Sequence, residues 1–236
     1  MTEHPDQAGD AVHRTYDRIA EHFSQTREYA WPEVEAFLAD RSAGLAVDVG
    51  CGNGRHTEVL AAHANRTVGV DASRGLLTEA CDRAAERGFD ASFVAGDAAR
   101  LPLRDDVADL AVYVATIHHL RTRADRVASL DEFARVLAPG GTGLVSTWST
   151  EHDRFESDAQ RSLSSRAGAG GESATIGFDT TVDWTLPGGE TVPRFYHIYH
   201  PEEFRADLQA SALAVEDAFV SSGNCYAVVH PEGKRP

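Results

Sequence analysis

Three glycines at alternate positions, Gly50, Gly52 and Gly54, follow an apolar run that carries Asp48 near its end. Glycine removes Cβ where a chain turns sharply, tolerates positive φ and lets a flat ligand lie against the main chain. A strand, a tight turn and a helix in that order make a nucleotide-type cofactor the natural occupant. A second strand-like run, 66–71, ends in Asp71, 23 residues after Asp48. At that distance a βαβ unit brings a carboxylate to a ribose edge. Asp97, just beyond the run 91–95, is a third acid at the C-terminal end of a strand. Open α/β sheets bind their ligands along that edge. A glycine turn with only a structural role is the plainer reading of the motif, and the three acids at successive strand ends weigh against it.

Two further sets of residues could act on a second ligand. Arg27 falls in a short break between two helical patterns, where a guanidinium is free to face a substrate. His118 and His119 follow the apolar run 108–115, again at the ligand edge, where histidine serves equally as a structural link or a proton carrier. Trp31, before Pro32, reads first as a packing anchor.

These residues need a frame. Apolar residues at helical spacing predict an amphipathic helix over 11–23 after a polar, disordered start, and Pro32 suits the first turn of a second helix, 33–39. Helices are expected over 55–63, from a cap at Ser73 to 87, and over 123–137, and strands over 45–49, 66–71, 91–95, 108–115 and 143–148. The Ala138-Pro139-Gly140-Gly141 run reads as a stop before the last of these. From 149 to 190 the pattern dissolves into Ser, Gly, Ala and charge, which predicts a mobile insertion. An aromatic run, 191–200, a helix to about 210, and an antiparallel pair, 215–222 and 224–230, complete the chain.

The 236 residues suit one α/β domain with decorations. Net charge is −15 and Lys234 is the only lysine, a composition that resembles proteins of halophiles. Such acidity argues against bulk attraction to nucleic acid or anionic membrane in dilute buffer, and less so in molar salt, where the Debye length is about 3 Å. Cys51, Cys81 and Cys225 form no Cys-x-x-Cys pair. With no basic-then-apolar start and no span-length apolar run, the expectation is a cytoplasmic chain with no disulfide framework, metal site or membrane partner of its own.

The motifs Asp48-Val49-Gly50-Cys51-Gly52-Asn53-Gly54, Asp71, Gly96-Asp97-Ala98 and the Pro-Gly-Gly turn resemble those of the class I S-adenosylmethionine-dependent methyltransferases. The resemblance implies a Rossmann-like fold, a mostly parallel seven-stranded sheet with helices on both faces and an antiparallel end strand. Residues 45–236 would form that domain, with 1–44 a helical cap at the substrate entry. It also implies that Gly50, Gly52 and Asn53 meet the methionine portion of S-adenosylmethionine, with Asp48 holding the turn. Asp71 would take the ribose, Asp97 the adenine amino group, and Ala98 and Val114 would line the same site.

Four patches outside this fingerprint look like the tRNA wobble-uridine carboxymethyl methyltransferases: Tyr16 to Arg27 with Trp31-Pro32, Ala115 to Leu120, Arg194-Phe195-Tyr196-His197, and Gly223 to Tyr226. That family implies esterification of a carboxymethyl group on uridine 34 of tRNA, with a small zinc-binding activator protein as partner. A carboxylate acceptor is ionised at neutral pH and needs orienting cations, not a base. Arg27 and Arg194 are the expected cations, His118 or His119 an added donor, and Trp31 or Tyr196 a stacking surface for the base, with His197 beside it. Two other readings share the cofactor fingerprint: a methyltransferase for a small quinone or aromatic acid, and a non-catalytic cofactor-binding subunit.

Overall fold

The computed structural model describes residues 6–155 and 176–234, with backbone alone described over 6–11. In chain order the elements are α1 (Asp6–Thr26), α2 (Pro32–Leu38), β1 (Ala43–Val49), α3 (Arg55–Ala61), β2 (Ala64–Asp71), α4 (Arg74–Arg87) and β3 (Ser92–Ala95). There follow β4 (Ala108–Val114), a 3-10 turn (Ile117–His119), α5 (Arg123–Val136), β5 (Leu137–Trp148) and a second 3-10 turn (Asp153–Phe155). The hairpin β6 (Phe178–Thr185) and β7 (Thr191–Ile198), then α6 (Pro201–Gln209), β8 (Leu213–Ser221) and β9 (Asn224–Pro231), close the chain.

The main sheet has seven strands in the order β3-β2-β1-β4-β5-β9-β8. β1 pairs in parallel with both β2 and β4, so the order reverses between β1 and β4. A cleft opens at such a reversal, outside the carboxyl ends of the strands. The predicted antiparallel strand is β9, which lies between β5 and the edge strand β8. Alternation along the strands splits the core: Val47, Val49, Ala111 and Tyr113 pack beneath α5 and α6 with Phe133 and Phe204. Ala46, Leu110, Val112 and Val114 pack on the other face against Val34, Leu38 and Leu60 of α2 and α3.

Capping chemistry explains several boundaries. Ser73 accepts a bond from Leu76 N–H at the start of α4, and Gly88 ends that helix with φ +71°. Asp17 of α1 docks on the same terminus, accepting from Ser73 Oγ (2.7 Å) and Gly75 N–H (2.8 Å).

Three expectations are corrected here. The insertion predicted over 149–190 contains β6, which pairs along its length with β7 and sends Trp184 into a cluster with Val192 of β7 and Ile19 of α1. Polar composition misled there because β6 exposes every second residue. The part of that stretch from 156 to 175 lies outside the described residues, as do residues 1–5 of the polar start; from Asp6 on, that start is helix where disorder was expected. The Pro-Gly-Gly turn does not precede a separate strand. Leu137 already pairs with Ala108, the chain bulges through Gly140 at φ +78°, and the ladder resumes at Thr142.

Candidate active site

Two half-sites meet along the C-terminal edge of β1, β2, β3 and β4. The first is the glycine turn. Gly50, Gly52 and Gly54 all have positive φ, at 69°, 54° and 78°. A Cβ on Gly50 would stand 2.1 Å from Thr116 Oγ1, so the turn also needs glycine for close approach. Thr116 follows Ala115, whose φ of +53° is a strained value for a residue with a side chain, and such strain gathers at functional edges.

Asp71 holds this turn: Oδ2 accepts from Gly52 N–H at 2.8 Å, and Oδ1 accepts from Ser73 N–H at the same distance. Burial raises its carboxyl above the ordinary range, while these two N–H groups oppose the rise. Each oxygen keeps acceptor capacity for a ribose hydroxyl. Gly96 N–H donates to Asp71 C=O at 3.0 Å, which places the exposed Asp97 beside it, with Ala98 against the core rim. Asp48 is buried under the turn and accepts from Thr57 Oγ1 at 2.6 Å. Burial, reinforced by the nearby charge of Asp71, pushes its carboxyl up to about 7.

The Asn53 side chain is engaged elsewhere: its amide nitrogen donates to Arg27 C=O (2.9 Å) and to Ser24 Oγ (3.3 Å), toward the end of α1. Val114 is buried in the core below the turn, where its carbonyl accepts from Thr116 Oγ1.

The second half-site is built by α1, the 3-10 turn after β4, and the β6–β7 hairpin. Arg194 of β7 is 7% exposed, and among the described residues no carboxylate pairs with it. Its Nη1 donates to Tyr196 Oη at 2.6 Å and to Tyr16 Oη at 3.4 Å, and Nε is left without a partner. Trp184 brings in the second arginine: the Arg194 guanidinium lies 4.8 Å from its ring centroid and that of Arg27 5.3 Å. Thus the two cations predicted from positions far apart in sequence meet on one indole. Burying a guanidinium without an acid costs several kcal/mol, of which ring contacts return about 2. Such a group is held ready for an anion.

Hydrogen-bond chemistry places the histidines behind Arg194. His119 Nδ1–H donates to Phe195 C=O (2.9 Å), so Nε2 accepts from Tyr16 O–H (2.9 Å). Burial holds this imidazole neutral, its pKa brought down to about 4. His118 Nδ1 accepts from Thr147 Oγ1 and Trp148 N–H, and burial likewise keeps it neutral. His119, bonded at both nitrogens, is a link in the wall, while His118 accepts twice at Nδ1 and so carries its proton on Nε2.

Three substrate-side expectations also change. Tyr196 stacks on Trp148 at 4.7 Å and 14°, with Arg194 and both histidines around the rest of the ring, so no face is open to a base. His197 points to the other side of β7, between Asp179 (2.7 Å) and Glu203 (3.0 Å). Strand alternation separates it from Arg194 and Tyr196. The Trp31 ring packs edge-on to His56 and Tyr226 with the Arg55 guanidinium over it, and its backbone N–H donates to His56 Nε2 at 3.4 Å, a packing that fits its plainer reading as an anchor.

Sequence reasoning missed Trp184 and Tyr16 as site residues. Trp184 fell in the patternless stretch, and Tyr16 read as an apolar helix position and the first residue of a resemblance patch, with no role of its own. The one available signal was an unexplained tryptophan in an otherwise polar segment.

A parallel sheet with this glycine turn and acids at its strand ends defines a nucleotide-cofactor α/β enzyme. Residues 47–145 match the family described as "Methyltransferase domain". A putative methyltransferase of Encephalitozoon cuniculi is 34% identical over 220 residues, covering 92% of this chain and 94% of that one. The chain therefore belongs to the class I S-adenosylmethionine-dependent methyltransferase family. It is similar as well to the tRNA (carboxymethyluridine(34)-5-O)-methyltransferase of Xenopus tropicalis, 37% identical over 180 residues. That match covers 75% of this chain and 27% of the relative, so the chain spans about a quarter of its length. In fold it is similar to a solved complex between the Haloferax volcanii Trm112 methyltransferase activator and a putative methyltransferase (TM-score 0.64, 17% identity, 95% of this chain and 99% of that one).

Proposed function

We propose that this enzyme methylates the carboxyl group of a 5-carboxymethyluridine at the wobble position 34 of tRNA, giving the methyl ester. The observation that carries the reading is Arg194, a buried guanidinium with an orphan Nε and no acid partner among the described residues, meeting Arg27 on Trp184. A pair of guanidiniums matches a carboxylate with parallel hydrogen bonds. The similarity to relatives named for this reaction supports the same acceptor.

S-adenosylmethionine supplies a methyl group on a sulfonium and leaves as a neutral thioether. In this chain Gly50, Gly52 and Asp48 would hold its methionine end, Asp71 its ribose, and Asp97 and Ala98 its adenine. Arg27 and Arg194 hold the acceptor carboxylate so that one oxygen forms the O–CH3 bond as the S–CH3 bond breaks. No proton moves, which fits a wall whose histidines are neutral and bonded. The work of the site is orientation, worth up to about 7–11 kcal/mol where geometry is well held. Residues 1–44 act as the cap over this site and 45–236 as the catalytic domain.

A chain of charge −15 has little general attraction for RNA. A small zinc-binding activator is accordingly assigned as partner, supported by the fold likeness to a methyltransferase solved with the Trm112 activator. The setting is the cytoplasm of a salt-adapted cell, and among the described residues no helix is long and apolar enough to cross a membrane.

The test incubates the protein, with and without that activator and in high salt, with methyl-labelled S-adenosylmethionine and tRNA from a strain lacking the gene. Label released from tRNA as methanol by mild alkali is the expected result. Label that stays in tRNA through alkali removes the carboxyl group as acceptor, and no label in tRNA while the cofactor binds favours a small carboxylate in its place.

A further inference from the structure

The geometry points to Asn53 as a positioning residue that couples the cofactor turn to Arg27. This inference rests on the reading of Arg27 as an acceptor-side cation. Asn53 stands between Gly52 and Gly54, so its backbone belongs to the turn that would cradle the cofactor, yet its buried side chain serves the other half-site. The amide donates to Arg27 C=O and to Ser24 Oγ. Ser24 C=O in turn accepts from Arg27 N–H at 3.2 Å, so both bonds fall on one closing turn at the end of α1.

A helix C-terminus leaves carbonyls without internal partners, and here side chains from the cofactor half supply them. Asn53 takes Arg27 C=O, and Arg83, which also pairs with Glu58 of α3, takes Glu28 C=O. Among the described residues, the Arg27 guanidinium meets only aromatic rings beyond its bond to a backbone carbonyl at 3.0 Å. Its aim therefore depends on where the main chain is pinned.

A continuous path joins the two ligands. The Asp71 carboxylate accepts from Gly52 N–H, the next residue is Asn53, and its amide holds Arg27. A ligand that draws on Asp71 and stiffens the turn thereby stiffens the arm that aims Arg27. Linkage makes the effect reciprocal: a bound acceptor tightens cofactor binding by the same factor. The cofactor turn and the acceptor cation are set together, which favours an acceptor site completed only once the turn is occupied.

The test compares amide hydrogen exchange over residues 24–31, with and without S-adenosylhomocysteine, in the wild type, Asn53→Ala and Asn53→Ser. Expected is slower exchange on adding the ligand to the wild type, loss of that slowing in Asn53→Ala, and partial return in Asn53→Ser, which keeps a short donor. The affinity for S-adenosylhomocysteine should stay within about threefold, since the lost bond does not face the ligand. Unchanged ligand-dependent slowing in Asn53→Ala overturns the proposal. So does a large loss of ligand affinity in both variants, which would make Asn53 a cofactor ligand. With tRNA as acceptor, Asn53→Ala should lower kcat/KM about five- to tenfold in the wild type and have no further effect beside Arg27→Ala. If the wild type fails to methylate tRNA, the acceptor reading falls while the exchange result still decides the coupling.

Discussion

Arg194 is the residue whose environment says most about function. A guanidinium that served the fold would have an acid beside it, and this one has two phenols, an indole face and an unsatisfied Nε. Replacing an unpaired buried charge by an apolar side chain of similar length is neutral or stabilising. Arg194→Met should therefore leave Tm unchanged or raised, while kcat/KM on the carboxylate acceptor falls about 100-fold, the worth of two charge-assisted hydrogen bonds. Thermal melts and kinetics on one preparation check both halves; a fallen Tm would mark a structural arginine. Asp48 allows a second prediction. Its folded pKa of about 7 lies above the ordinary 3.8, so between these values the folded state holds the proton more firmly than the unfolded chain. Stability from this group is present below the ordinary value and lost as pH rises through about 7. Asparagine mimics the protonated carboxyl, so Asp48→Asn should stabilise the ligand-free protein at pH 8 and do so less at pH 5, which lies nearer the ordinary value. Urea midpoints at the two values measure the difference.

Among the elements, α1 joins the half-sites. Its neighbouring residues Tyr16 and Asp17 reach in different directions, one to His119 and Arg194, the other to the start of α4 beside Asp71. Amphipathic spacing made α1 visible in the sequence, but spacing records only that Tyr16 is inward. Its partners lie 103 and 180 residues away, so no local pattern could pair them. Tyr16→Phe keeps the ring and removes the hydroxyl, leaving the buried His119 Nε2 without a donor. An unsatisfied buried group costs about 1–3 kcal/mol. The expected outcome is a loss of that size in urea unfolding, with a lowered kcat and a cofactor affinity near that of the wild type. The hairpin β6–β7 was half visible: the run with Arg194 stood out by its aromatics, while β6 was hidden by polar residues on its outer side.

For the whole molecule, charge decides how an RNA would approach. At −15 the protein repels a polyanion, and screening shortens that repulsion from about 10 Å at 0.1 M salt to about 3 Å at 1 M. Most RNA enzymes lose affinity as salt releases their counterion advantage. Here kcat/KM for tRNA should rise between those salt concentrations, while S-adenosylhomocysteine affinity stays nearly flat; titration and initial rates in potassium chloride would show it. A fall with salt would point to a local basic contact that outweighs the net charge.

The glycine turn and the acids around it were legible because their determinants are local: glycines set a turn, strands end in acids, and β1, β2 and β3 are neighbours in sequence and in the sheet. Arg27 and Arg194 could be named as cations from the chemistry of a carboxylate acceptor. What the tertiary structure alone decided is which of these groups stand together and which are bonded into the wall. Strand alternation turned His197 away, stacking on Trp148 closed Tyr196, and burial with bonds at both nitrogens made His119 a brace. Folding β6 over α1 brought Trp184 to both arginines, a contact that no spacing along the chain encodes.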